Sequence, residues 1–317
     1  MLNNKTVARH GHHIDKFKLF RVLAPVFLIV CIIGIAVVLQ AKDSQADTGK
    51  ITRNDKRELS RLWAESDFDA AYILSKEALN IKPVDFSLLT INGFSAFQLG
   101  ISQINNQNRL YYMNESINSL RKAMLLKEAS NDGRIFYVLG KSYYYKGNDY
   151  SDLAVKYLDM AYNLNYEAKD IPEFLGLSYA ASGDYRSSVN AFSQAFEDNK
   201  PPSDSLLLSI ARSYMAMEEY NMAVGYLSRC VDTSPDSQSV IIAHFLLAEI
   251  YKNTGDYQMA ERQYFSILES SGENAEVRFQ LGELYNLLGD TTRARAEWRI
   301  AFRQDPTHAR ARARLNI

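Results

Sequence analysis

The sequence predicts an all-α protein, a solenoid of about seven helical hairpins preceded by one transmembrane helix. A spacing of small and aromatic residues recurs seven times between Thr52 and Pro306, with a period near 34 residues. A fixed period of this size is typical of stacked supersecondary units. Turn signals built on Gly-Asp recur in step with that period, and a run of 20 uncharged residues lies near the N-terminus. These three observations define the predicted architecture.

The N-terminal part of the chain divides into three segments. Residues 1–21 form a short basic tail; together with the uncharged run they carry a net charge of +4, against −5 for the rest of the chain. Residues 22–41 form the uncharged run. A helix of that length, at about 1.5 Å per residue, crosses the hydrocarbon core of about 30 Å. The basic residues precede it, so the positive-inside rule predicts a cytoplasmic tail and an exported body. Residues 42–51 form a polar linker.

A cleaved signal peptide is the alternative for the same residues. Its apolar region is normally shorter, about 7–15 residues, and it ends at a site of small residues. Here Leu39 stands where a small residue is expected, and Cys31 lacks the small residue that precedes the cysteine of bacterial lipoprotein signals. The favoured interpretation is a retained anchor. It predicts a single-pass inner-membrane protein with its N-terminus in the cytoplasm and its body in the periplasm.

Each repeat consists of two helices joined by a short turn. In Gly183-Asp184 and Gly255-Asp256 the glycine ends the first helix and the aspartate caps the second. The second helix carries two small residues seven positions apart, as at Ala154 and Ala161. The predicted repeats span residues 52–85, 86–132, 133–168, 169–203, 204–240, 241–274 and 275–306, and residues 307–317 follow as a C-terminal capping helix.

One repeat differs in length. The small position of the first helix recurs at intervals of 34, 47, 36, 35, 37 and 34 residues, and the long interval belongs to residues 86–132. We expect the segment from Ile101 to Arg109 to lengthen the turn between the two helices of that repeat.

These positions resemble the motif of the tetratricopeptide repeat (TPR) family, and the resemblance covers residues 52–317. In that motif a small residue of the first helix is followed three positions later by an aromatic one, as at Gly140/Tyr143 and Gly282/Tyr285. The resemblance implies a right-handed α-solenoid of about seven TPR hairpins. It also implies a concave groove, lined by the first helices, that binds protein partners.

Transferring the family's groove positions to this chain gives a candidate partner-binding site. Its residues are Trp63, Phe94, Phe97, Tyr137, Lys141, Tyr144, Arg212, Met215, Phe245, Glu249, Lys252, Phe279, Glu283 and Asn286. Aromatic groups with isolated charges of both signs suit an extended or amphipathic segment of a partner. The alternative is that some of these aromatic residues pack between repeats. Members that clamp a terminal carboxylate place Lys and Asn at two first-helix positions. Lys56 is followed by Ser60 instead of Asn, so that clamp is not expected.

No catalytic, cofactor or metal site is predicted. The H-E-x-x-H, Walker, G-x-S-x-G and C-x-x-C motifs are all missing from the sequence. The three histidines of the tail, at positions 10, 12 and 13, are interpreted as part of a solvated tail in preference to a metal site. Cys230 replaces an alanine of the repeat, so we expect it in the core. The mildly acidic body argues against a nucleic-acid partner.

Seven arginines lie between Arg293 and Arg314. A solvated capping region is the favoured interpretation, and an acidic partner or an anionic lipid surface is the alternative.

The sequence therefore predicts a non-enzymatic, membrane-anchored scaffold that presents a groove to protein partners during assembly of a cell-envelope complex. The first alternative is a self-associating structural subunit of a large periplasmic assembly, such as a secretion- or flagellar-motor-associated collar. The second is a scaffold that faces the cytoplasm.

Overall fold

A computed structural model of the chain describes residues 53–129, 131–196 and 201–316. These residues form fifteen α-helices and no strand, so the predicted all-α class is confirmed for them. The helices are α1 (Arg53–Ala64), α2 (Phe68–Ile81), α3 (Phe86–Ile101), α4 (Asn106–Ala123), α5 (Gly133–Lys146), α6 (Ser151–Asn163), α7 (Ile171–Ser182), α8 (Tyr185–Gln194), α9 (Asp204–Ala216), α10 (Tyr220–Thr233), α11 (Ser237–Thr254), α12 (Tyr257–Ser271), α13 (Ala275–Leu287), α14 (Thr291–Gln304) and α15 (Ala309–Leu315).

The helices stack in chain order as a solenoid. Each odd-numbered helix from α1 to α13 packs against the helix that follows it, which gives a series of hairpins. The first helices of successive hairpins, from α1 to α11, also contact each other, so they lie on the inner side of the array. The handedness of the solenoid stays a prediction.

The transmembrane helix predicted for residues 22–41 lies outside the described residues. Within the described ranges, no helix is both long enough and apolar enough to cross a membrane.

The turns inside the hairpins follow the predicted chemistry. Gly183 ends α7 in the left-handed conformation, with φ of 85°, and Gly255 ends α11 with φ of 82°. Asp184 then caps α8, because its carboxylate accepts a hydrogen bond from the backbone N–H of Ser187 at 3.1 Å. Ser66, after α1, and Glu218, after α9, are the left-handed residues of their turns, with φ of 60° and 61°. A side chain makes that conformation less favourable than it is for glycine.

Small residues lie where the helices of a hairpin cross. Ala154 and Ala161 are fully buried, and so is Cys230, as predicted. In α5, a Cβ added to Gly140 would lie 2.6 Å from Leu158 Cγ and 2.9 Å from the Leu158 backbone nitrogen. The paired helices therefore approach too closely for a larger side chain at this position.

The second hairpin corrects one prediction. The turn between α3 and α4 comprises only residues 102–105, so the expected long turn from Ile101 to Arg109 was wrong. Asn105 starts α4 early, since its side-chain oxygen accepts hydrogen bonds from the N–H groups of Gln107 at 2.7 Å and Asn108 at 3.3 Å. The extra residues lengthen the helices, which have 16 residues in α3 and 18 in α4, and the connection from α4 to α5, where Lys127–Ala129 form a 3-10 turn.

Helix α15 covers the last hairpin. Ala311 is fully buried in the cluster formed by the final hairpins, and Leu315 packs against the same cluster. His308 caps the helix, because its Nδ1 atom accepts a hydrogen bond from the backbone N–H of Ala311 at 3.1 Å.

Candidate functional site

Five of the candidate groove residues line one cavity of about 530 Å³. They are Trp63 on α1, Phe94 and Phe97 on α3, and Tyr137 and Lys141 on α5. We call this space the aromatic cavity. Its other lining residues are Ser60, Thr90, Ile91, Gln98, Ile101, Arg134, Val138 and Tyr166. Because α1, α3 and α5 are first helices of successive hairpins, the cavity lies on the inner side of the solenoid.

The aromatic side chains differ in how much surface they offer. Trp63 is 36% exposed, and its ring centroid lies 6.1 Å from that of Phe94. Phe97 is only 4% exposed, because the next hairpin covers it with Tyr145 at a centroid distance of 6.3 Å. Trp63 and the half-buried Phe94 thus present their surface to the groove, while Phe97 forms a wall.

Lys141 lies at the base of the cavity with its charge neutralised. Its ammonium group donates hydrogen bonds to Asp170 Oδ2 at 2.7 Å and to Tyr137 Oη at 2.9 Å. It also lies 4.2 Å from the centroid of the Phe174 ring, a cation–π arrangement, and the side chain is 12% exposed. The cavity therefore presents little positive charge at this point.

Tyr137 completes this polar cluster. Its hydroxyl donates its one proton to the carboxylate of Asp170, whose two oxygens both lie 2.9 Å from Oη. Burial, reinforced by the neighbouring carboxylate, raises the pKa of Tyr137 well above its ordinary value. The phenol stays neutral at physiological pH and acts as a hydrogen-bond donor inside the groove.

The charged residue at the rim of the cavity is also paired. Arg134 donates to Asp132 through Nε at 2.9 Å and a terminal nitrogen at 2.7 Å. The hydrogen bond from Arg134 lowers the pKa of Asp132. The cavity is thus an aromatic surface bordered by neutralised ion pairs, which suits apolar side chains.

The remaining central candidates do not line the aromatic cavity. Tyr144 packs edge-on against Phe174, with a centroid distance of 5.1 Å. The other four, on α9 and α11, range from half-buried to exposed and are Arg212, Met215, Phe245 and Glu249. Phe245 packs against Tyr264 of the following helix.

Two of the last four candidates lie beside the C-terminal helix. Phe279 is 4% exposed, with the ring centroid of His308 at 5.0 Å and the guanidinium of Arg310 at 4.7 Å. Glu283 accepts hydrogen bonds from the guanidinium of Arg314 at 2.9 and 2.6 Å. Helix α15 therefore covers positions that the sequence assigned to a partner.

The two other candidates of this end are accessible. Lys252 is half-buried beside Phe279 and Glu283, at a second cavity of about 450 Å³. Asn286 is exposed near the end of α13.

Sequence reasoning missed Asp170 and Phe174, which surround Lys141. Asp170 directly precedes α7, where an aspartate predicts a helix cap, but its side chain makes no capping hydrogen bond. Its carboxylate binds Lys141 and Tyr137 instead. Within the described ranges, no group of His, Cys, Asp and Glu side chains could hold a metal ion.

Comparisons with known proteins identify the repeat type. Tetratricopeptide repeat models match residues 245–309 and residues 205–237. A comparison with curated protein sequences gives no match. The C-terminal part of a TPR repeat-containing protein from Cytophaga hutchinsonii has a similar structure, with a TM-score of 0.60, 15% identity and coverage of 82% of this chain and 99% of that chain.

Two further solved structures share the fold. PilW, a type IV pilus biogenesis factor, has a TM-score of 0.54, 16% identity and coverage of 70% of this chain and 98% of its own. A tetratricopeptide repeat protein from Parabacteroides merdae ATCC 43184 has a TM-score of 0.50, 16% identity and coverage of 83% and 96%. The chain therefore contains TPR repeats in a TPR-like solenoid, a fold that serves as a protein-interaction scaffold and is generally non-enzymatic.

Proposed function

We propose that this chain of TPR repeats is a membrane-anchored scaffold that holds an apolar or amphipathic segment of a protein partner in the aromatic cavity. The observation that carries the proposal is the pairing of an aromatic surface with neutralised charges. An apolar side chain that enters the cavity leaves neither Lys141 nor Arg134 without its carboxylate. Burial of apolar surface then contributes about 25 cal/mol per Å² to binding, without the opposing cost of burying an unpaired charge.

The dimensions of the cavity favour side-chain anchors. A volume of about 530 Å³ is within the range of about 300–1,000 Å³ found for ligand pockets. An amphipathic helix that binds in a groove uses apolar anchors on one face, at a spacing of three or four residues. Trp63 is the exposed aromatic residue at the mouth, and tryptophan is a frequent hot spot of protein interfaces.

The compartment is a separate part of the proposal. The 20 uncharged residues at 22–41 and the basic residues before them support an anchor with an exported body. PilW, a type IV pilus biogenesis factor, has a similar fold, which is compatible with a role of this chain in assembling an envelope complex. Protease added to spheroplasts should digest the repeats. Protection that lasts until the cells are lysed would support the cytoplasm-facing alternative.

The groove can be tested by photo-crosslinking in cells. A photoreactive phenylalanine analogue replaces Trp63, and a matched protein carries it at Phe265, which is 39% exposed on the second helix α12. We expect a discrete crosslinked product at position 63 that is absent at position 265. The product should disappear when Phe94→Ala is added, while circular dichroism shows an unchanged helix content.

Two outcomes would count against the proposed site. Equal products at both positions would show that the aromatic cavity is no preferred surface. A product at position 63 whose mass is twice that of this chain would support the self-associating alternative.

A further inference from the structure

We propose that the C-terminal end of the solenoid binds an acidic peptide segment, at a site that is independent of the aromatic cavity. The site is formed by Arg295 and Arg299 of α14 and Arg314 of α15, around a cavity of about 560 Å³. We call it the terminal arginine site. Its other lining residues are Asn286, Thr291, Thr292 and Trp298, so no acidic side chain lines it.

The first argument is the pairing of charges in the last hairpin. The neighbouring arginines each bind a carboxylate, in the pairs Arg278–Glu297, Arg293–Asp290, Arg310–Glu276 and Arg314–Glu283. Arg295 and Arg299 are exposed, and among the described residues neither makes an ion pair. They lie four residues apart on one face of α14, where two like charges repel each other. An anionic ligand would relieve this repulsion.

The second argument is the preorganisation of the third arginine. Arg314 is held by two hydrogen bonds to Glu283, and its guanidinium lies 5.4 Å from the centroid of the Trp298 ring. Thr291 and Thr292, in the first turn of α14, add hydroxyl groups to the same cavity. The N-terminal end of a helix also favours a negative charge. Guanidinium groups bind carboxylates through two parallel hydrogen bonds, so Arg295 and Arg299 match glutamate or aspartate side chains. Arg314, whose charge is paired with Glu283, adds the N–H groups of the terminal nitrogen that does not bind Glu283.

The surroundings favour a peptide over a lipid surface. Leu287 and Leu288 are 56% and 49% exposed, and they lie in the chain between Asn286 and Thr291, which both line the cavity, so apolar surface adjoins one end of the site. A segment that alternates acidic and apolar residues would contact both. Residues from three helices line the cavity, which gives it a defined shape, whereas a membrane-binding surface is broad and basic. The chain beyond residue 41 carries a net charge of −5, which opposes approach to an anionic bilayer.

Fluorescence anisotropy with the full chain tests the site. The probe is a fluorescein-labelled peptide that alternates glutamate with leucine, and the control peptide has glutamine in place of glutamate. We expect saturable binding of the acidic probe alone, weaker at higher salt. The double variant Arg295→Glu/Arg299→Glu should weaken binding about tenfold or more.

A matched variant controls for overall charge. Arg186→Glu/Arg229→Glu makes the same charge change at exposed positions of α8 and α10, and it should leave the affinity of the probe within about twofold. Arg295→Lys/Arg299→Lys keeps the charge and removes the guanidinium fork, so its affinity should fall between those of the wild type and the glutamate variant.

Three results would overturn the assignment. The first is equal weakening by the two glutamate variants, which would indicate a general charge effect. The second is equal binding of the glutamine peptide. The third is co-sedimentation with phosphatidylserine vesicles that depends on Arg295 and Arg299 while the acidic peptide does not bind at about 1 mM, which would assign the site to lipid. Crosslinking at Trp63 should be the same in all variants, so failure of this site and failure of the groove are distinguishable.

Discussion

Substitution of Gly140 by alanine tests the close helix contact on which the repeat depends. The added methyl group would lie 2.6 Å from Leu158 Cγ and 2.9 Å from the Leu158 backbone nitrogen. The leucine side chain can rotate away, but the backbone nitrogen can move only if α6 shifts. Gly225 is the matched control, because it lies within α10 and a Cβ there would meet no atom within 4 Å.

Two opposing effects set the magnitude. Alanine in place of glycine within a helix stabilises by about 1 kcal/mol, and this gain applies to both substitutions. Overpacking of a dense contact costs about 1–3 kcal/mol and applies only to Gly140. The free energy of unfolding should therefore rise by up to about 1 kcal/mol for Gly225→Ala. It should stay level or fall by up to about 2 kcal/mol for Gly140→Ala.

Urea unfolding followed by circular dichroism measures the overall difference. Hydrogen exchange of peptides from α5 and α6 provides the local measurement, because a repeat array can open one hairpin at a time. Faster exchange in these helices should accompany Gly140→Ala. If Gly140→Ala stabilises the protein as much as Gly225→Ala does, the close contact is not what requires glycine at this position.

Two further predictions concern buried polar groups. Lys141→Met should lower the free energy of unfolding by about 1–3 kcal/mol. This loss is smaller than the loss expected when a fully buried ion pair is broken, because Asp170 is 35% exposed. The control is Arg61→Met, which removes an exposed ion pair and should leave the urea midpoint unchanged. Burial raises the pKa of Tyr264 to about 12, and burial with a hydrogen bond to Glu261 does the same for Tyr285. Because both phenols ionise near pH 10 when unfolded, their contribution to stability is complete below pH 10 and is lost between about pH 10 and 12. Absorbance at about 295 nm should show tyrosines that ionise well above pH 10 in the folded protein, and Tyr264→Phe should reduce the loss of stability. Ionisation of every tyrosine near pH 10 in the folded protein would contradict the prediction.

The repeat pattern could be predicted because it reflects contacts inside one hairpin. Gly140 opposes Leu158 of the very next helix, and Ala154 and Ala161 face the same crossing. Such contacts recur with the period of the sequence, so their spacing alone indicates the fold. The turn glycines are equally local, because the left-handed residue that ends a first helix, as at Gly183, depends only on the turn that follows it.

Contacts between hairpins could not be predicted in the same way. Lys141 and Asp170 are 29 residues apart, and their contact depends on the angle between successive repeats. That angle also decides that Phe97 is covered by Tyr145. For Phe279, the short helix α15 supplies the cover. A position that is exposed in an isolated hairpin can therefore be buried in the array.

The ammonium of Lys141 has a mechanical consequence for recognition. It binds the aspartate that precedes α7 and lies 5.8 Å from the ring centroid of Phe97 on α3, so one residue of α5 links three successive first helices. These contacts fix the angles between the three helices and therefore the width of the groove before a partner binds. A bound segment would then lose its own conformational entropy, but the groove would not have to become ordered as well. Preorganised surfaces achieve affinity from modest contact areas in this way.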